Sequence, residues 1–141
     1  IQNDIAYTHA TINTFLEKNP RLPKILLVDT REQIPPKLAK EIFKPLFNRG
    51  VEMMGVIYNK GSEASKKNFK VSFRVSNESP ENKKYKVNHL AENFGGGGHP
   101  MAAAFTGNSE DIISELVESM KDLVENKNDF AYLKLTSQLQ H

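Results

Sequence analysis

Two places in the chain put chemically useful residues at a useful spacing. The first is residues 94–105, which read Phe-Gly-Gly-Gly-Gly-His-Pro-Met-Ala-Ala-Ala-Phe. A glycine in ordered structure costs roughly 0.5–1 kcal/mol relative to alanine, so four in a row mark a backbone that takes unusual dihedrals or is closely approached. Exposed peptide N–H groups in such a loop make an anion-binding nest. His99 adds a donor at its end, and the alanines that follow leave no bulk to obstruct a flat ligand. A plain glycine linker is the competing reading. The second place is the alternating stretch from Phe69 to Ser76. Phe69, Val71, Phe73 and Val75 point one way and must pack on the core, while Lys70, Ser72, Arg74 and Ser76 point the other. Ser72 and Arg74 therefore share a face. The guanidinium is a planar fork suited to a phosphate, and the serine is a single hydroxyl donor. Lys70 adds general attraction at the rim. Arg74 pairing with an acid on a neighbouring element is the alternative.

Familiar glycine-loop chemistries do not fit. A Walker-type phosphate loop ends in Gly-Lys-Ser/Thr, whereas this run ends Gly98-His99-Pro100. The dinucleotide fingerprint follows a first strand, whereas this run follows a helix. With no cysteine there is no thiol nucleophile, disulfide or Cys-based zinc site. The five aspartates and four histidines show no metal-ligand spacing. Asp29, at a strand end, is more simply a turn cap than a ligand.

The elements that must hold these residues read as an α/β fold: a single domain with a mixed β-sheet of about four to five strands flanked by helices. Asp4 to Lys18 carries a helical stripe of Ile5, Ile12, Phe15 and Leu16, stopped at Asn19-Pro20. Ile25 to Val28 suits a strand buried on both faces. Pro35-Pro36 opens a helix with apolar residues Leu38, Ile42, Leu46 and Phe47, kinked at Pro45 and closed by Gly50. Val51 to Tyr58 completes a β-α-β unit. Asn59–Asn68 and Asn77–Lys84 are polar connections. A short helix over Asn88–Phe94, capped by Asn88, precedes the glycines, and Ala102–Thr106 is another strand. Ser109 caps a long helix reaching about Val124. The last fifteen residues form an edge strand or a tail. This divides the chain into 1–23 (helix and linker), 24–126 (the main unit) and 127–141.

The length of 141 residues suits one domain with its own core, and 38% hydrophobic with 26% charged residues suits a globular chain. No apolar run approaches a membrane span and no signal peptide is evident, so a reducing, cytoplasmic setting with no membrane contact is expected. The chain starts at Ile1 rather than Met, as a piece of a longer protein would. Net charge is +2, but it is segregated. Residues 109–126 carry a local −5, and Tyr58 to Lys86 a local +5. That suggests one face for an anion and another for water, although ordinary solvated surface explains it as well.

The glycine-histidine run, the preceding helix Val87-Asn88-His89-Leu90-Ala91-Glu92 and the strand Val71-Ser72-Phe73-Arg74 together resemble the DHH-associated domain. That is the C-terminal, substrate-binding half of DHH-family phosphoesterases, and the resemblance covers about residues 51–126. It is closest to members acting on short oligoribonucleotides, 3′-phosphoadenosine 5′-phosphate or cyclic dinucleotides. It implies a substrate-binding set of Ser72, Arg74, Gly96, Gly97, Gly98 and His99. It also implies a DHH catalytic domain as partner, holding two divalent metal ions (manganese), and leaves a homodimer open. This chain lacks the Asp-His-His of the catalytic half, so by itself it is not expected to hydrolyse its ligand. A non-enzymatic single-stranded nucleic-acid binder and a regulatory or interaction domain remain alternatives.

Overall fold

The structure is a computed structural model that describes residues 2–60, 68–77 and 85–135. Lys66, Lys67, Lys83 and Lys84, half of the bases in the expected basic segment, lie outside the described residues. The first strand, β1 (Ile25–Asp29), is buried throughout, as its unbroken apolar run requires. It pairs in parallel with β2 (Met53–Asn59). The connection between them is a 3₁₀ helix, Pro36–Ile42, running into a short α-helix, Phe43–Phe47, in place of one kinked helix. Pro45 falls in the first turn of that α-helix, where its missing N–H would have had no intrahelical partner.

Strand β3 (Phe69–Val75) lies antiparallel to β2 and to β5 (Ala102–Gly107). Phe69, Val71, Phe73 and Val75 face the core, as the alternation predicts. Phe69 and Phe73 are fully buried, each contributing about 1.5–3 kcal/mol. They pack with Ala103 and Phe105 under the helices Val87–Glu92 and Glu110–Lys121 through Leu90, Ile113, Leu116 and Met120. The opposite face of β1 and β2 presents Leu26, Val28, Met54 and Val56. It is covered by the N-terminal helix Gln2–Lys18, through Ile12, Phe15 and Leu16, and by Ile42, Phe43 and Leu46 of the β1–β2 connection. Ile5, expected on the buried stripe of that first helix, is instead exposed. No residue of β3 or β5 joins this second cluster, so the cover ends at β2.

Among the described residues the sheet has six strands, in the order β4 (Gly97–His99), β5, β3, β2, β1, β6 (Phe130–Lys134). The strand absent from the sequence reading is β4, Gly97–His99, in the glycine run itself. Glycine has a low strand propensity and no side chain to alternate, so nothing in the sequence marks it. β6 (Phe130–Lys134) joins the other edge in parallel with β1. One helix start differs from expectation, and one capping bond is missing. Asn88 lies inside the helix that begins at Val87, with Lys86 at the cap position. Ser109 does occupy the cap position of the last helix, but its side chain makes no capping bond and the helix ends at Lys121. Among the described residues no helix is long and apolar enough to cross a membrane.

Candidate functional site

Residues opposite one another in an antiparallel ladder share a face. The register places Ser72 opposite Ala104, and Ala104 opposite Gly97. One step along, Arg74 faces Ala102, and Ala102 faces His99. Two rows therefore cross β3, β5 and β4 on the face left bare by the helices. Arg74 and His99 close the ends of one row, with backbones roughly 10 Å apart across two strand spacings. The alanines between them reduce the floor to methyl groups. An open cleft of about 240 Å³ lies over this strip, lined among others by Lys40, Lys70, Ser72, Arg74, Gly97 and Ala104. Of the six residues expected to bind, Ser72, Arg74 and Gly97 line it. His99 ends the second row just outside the lining, and Gly96 and Gly98 turn to a different task.

Arg74 is exposed, and its guanidinium lies 5.0 Å from the centroid of the Phe43 ring. Such a contact is worth about 0.5–1 kcal/mol at an exposed site. No carboxylate among the described residues pairs with it, so its donors face the cleft unclaimed. Ser72 is buried, and its hydroxyl lies 3.0 Å from that of Tyr58. Either hydroxyl can donate in this bond, and with Tyr58 donating the serine proton is free for another acceptor. Tyr58 was not singled out from the sequence. It sits on β2 opposite Lys70, diagonal to Ser72, and only the strand register makes it a neighbour. His99 is exposed, and its Nδ1 accepts the Met101 N–H at 3.0 Å. That bond pins the Pro100-Met101 turn and leaves Nε2 as the nitrogen that carries the proton.

The glycine run is an edge strand, not a loop of free amides. The N–H groups of Gly95 and Gly96 bond to the carbonyls of Glu92 and Ala91 at 3.1 and 2.9 Å, and residues 97–99 pair with β5. A Cβ at Gly96 would stand 2.1 Å from the Ala104 carbonyl oxygen and 2.5 Å from Phe105 Cβ. Gly98 has φ +145° and would place a Cβ 2.7 Å from Ala103 Cα. Both glycines let β4 press onto β5. Gly97 differs: a Cβ there meets nothing within 4 Å and would stand in the cleft.

Asp29 is engaged elsewhere. Arg31 grips its carboxylate with Nε and Nη2 at 3.0 and 2.7 Å and reaches Glu110 at 2.9 Å. The bond to Asp29, together with Glu110, raises the guanidinium pKa well above its ordinary value despite partial burial. Burial, reinforced by the Asp29 charge, pushes the Tyr132 phenol up to about 12. Among the described residues no three His, Asp or Glu side chains gather to hold a metal ion.

No curated protein matches the sequence. A pGpG-specific phosphodiesterase, PggH, from Vibrio cholerae superposes with a TM-score of 0.54 at 17% identity, over 84% of this chain and 41% of that one. The chain thus spans about two-fifths of that structure's length. The C-Ala domain of alanyl-tRNA synthetase from Aquifex aeolicus superposes with a TM-score of 0.52 at 16% identity, over 75% of this chain and 96% of that domain. At these identities both show a shared fold. The family model for the DHHA1 domain matches residues 26–126, from within the first buried strand to just beyond the last α-helix, and the chain belongs to that family.

Proposed function

We propose that this chain is the substrate-binding half of a DHH-family phosphoesterase that hydrolyses phosphate esters of short oligonucleotides or nucleotides. The carrying observation is the bare strip on which Ser72 and Arg74 face Gly97 and His99 across two alanines. An unpaired guanidinium, a serine hydroxyl and an imidazole N–H are all donors, and their common partner is an anion such as a phosphate. The role of these groups is to bind and orient. A DHH catalytic domain would supply two divalent metal ions, manganese by family resemblance, and so the hydroxide that attacks. No hydrolytic step is assigned to this chain's own residues.

The test is a titration of the 141-residue chain with a short dinucleotide, followed by NMR or calorimetry. Binding in the micromolar to millimolar range is expected, since a few charge-assisted contacts are worth only a few kcal/mol. Arg74→Ala and His99→Ala are each expected to weaken it about tenfold, with the fold intact because both side chains are exposed. Parent-like binding by both variants would remove this reading.

A further inference from the structure

The sheet has a second edge, on the side away from the glycine strand. Among the described residues β6 pairs with β1 alone, so its outer side is open. The Leu135 N–H donates to the Asp29 carbonyl at 3.0 Å at the end of that ladder. Main-chain groups alternate sides along a strand, so Ala131 and Leu133 also turn toward β1, while Tyr132 and Lys134 turn theirs to the open edge. A cleft flanks this edge on each face of the sheet. On one face, about 420 Å³ lies between β6 and the helix Glu110–Lys121. Ile113, Val117 and Tyr132 give it an apolar wall, and Glu110 and Glu118 stand beside them. Those two carboxylate side chains are 70% and 73% exposed. On the other face, about 160 Å³ lies between β6 and the helix Gln2–Lys18, lined by Thr11, Phe15, Leu133 and Leu135 among others. The Thr11 hydroxyl is buried there without a hydrogen-bond partner among the described residues.

Side chains of a strand laid along β6 would fall alternately into the two clefts. Charge and spacing say which side chains fit. Glu110 is tied through Arg31 to Asp29, which is level with Lys134, and the chain returns from the helix end to Phe130, so the helix runs back along β6. Glu110 and Glu118 stand roughly 12 Å apart along it. Residues i and i+4 of a strand are roughly 13 Å apart. We propose that the β6 edge accepts an extended segment of a partner protein as a seventh strand. Its basic side chains, four residues apart, meet Glu110 and Glu118, with an apolar side chain between them over Ile113, Val117 and Tyr132. Its intervening small hydroxyl side chains face Thr11. The main chain supplies the affinity and the two clefts the selectivity. A second copy fits poorly: β6 paired with its own image about a two-fold axis sets the two acidic helices side by side, like charge against like.

The probe is the acetylated, amidated pentapeptide Lys-Thr-Val-Thr-Lys, titrated by NMR against the 141-residue chain. Amide shifts are expected along β6 and on the two flanking helices, and none with Glu-Thr-Val-Thr-Glu. Glu118→Lys, a change at an exposed side chain, should weaken binding about tenfold. Lys134→Pro removes an N–H that faces outward and leaves the ladder to β1 whole, so it should weaken binding at least about fivefold, whereas Lys134→Ala should not. N-methylation of the peptide should abolish binding at the valine if the added strand is antiparallel, or at the two threonines if it is parallel. No binding of the basic peptide, equal binding of the acidic one, or tolerance of both N-methylated forms overturns the proposal. So does a parent chain that sediments as a dimer and returns to monomer in Lys134→Pro, which assigns the edge to a second copy.

Discussion

A methyl group added at residue 97 would meet no atom within 4 Å, whereas one at residue 96 would collide with the Ala104 carbonyl. Under the proposed function the two glycines therefore separate binding from folding. Gly97→Val should unfold in urea within about 0.5 kcal/mol of the parent, since it fills open space on a strand edge. The same substitution should weaken dinucleotide binding about tenfold, because its side chain occupies the cleft floor. Gly96→Ala should lose about 1–3 kcal/mol of stability in the same unfolding measurement, the usual cost of overpacking. Parent-like binding by Gly97→Val would show that the ligand does not lie over that row. The sequence presents four equivalent letters here. What distinguishes them is which backbone each one touches, and that depends on β5, several residues downstream. Ser72 and Arg74 were legible for the opposite reason: strict alternation puts both on one face whatever the tertiary context. Lys40 and Tyr58 were not, because no local pattern tells which strand or helix they will stand beside.

At the level of elements, the Asp29–Arg31–Glu110 linkage ties the end of β1 to the start of the last helix. Asp29 is buried and its pairing with Arg31 is bidentate, so Asp29→Asn should cost about 3 kcal/mol in urea unfolding. A loss below about 1 kcal/mol would mean that the helix is held by its apolar face alone. Tyr132 on β6 reports on the same junction. Its folded pKa of about 12 lies above the ordinary 10.0. The unfolded chain therefore releases this proton first as pH rises. The associated stability is complete below pH 10 and is lost on the way to about 12. Tyrosinate absorbance should show one late-ionising phenol in the parent, moving toward its ordinary range in Asp29→Asn. The buried parallel pair and β3 could be read from apolar runs and alternation. The division of the β1–β2 helix and the strand character of Gly97–His99 could not: the first depends on where the α-turns begin around Pro45, the second on a partner strand that supplies all the order the glycines lack.

Across the whole molecule the two faces of the sheet carry opposite characters. The last helix covers one face, and Glu110, Asp111, Glu115 and Glu118 on it are exposed. The cleft with its three cations opens on the other. A small net charge therefore hides a directional field, one that repels an anion from one side and draws it to the other. Binding should weaken with salt, with log K falling by about 0.7 per unit of log salt for each phosphate neutralised on a single strand. A slope near zero would exclude phosphate as the held group. Affinity should also stop rising after two or three nucleotides. Phe69 and Phe73, the aromatic side chains of β3, are buried on the far face, so β3 offers no aromatic platform to continue the site. Steady gains up to longer oligomers would favour the general nucleic-acid binder instead.

The floor made by Ala102, Ala104 and Gly97 has a further consequence. Three adjoining positions offer neither hydrogen bond nor charge of their own beyond the main chain, so that surface is chemically mute. Under the proposed function, a guest would slide or rotate over it with little penalty and be held at the margins, where Lys40, Arg74 and His99 stand. Changing the preferred guest therefore requires altering a few border side chains and no repacking of the interior.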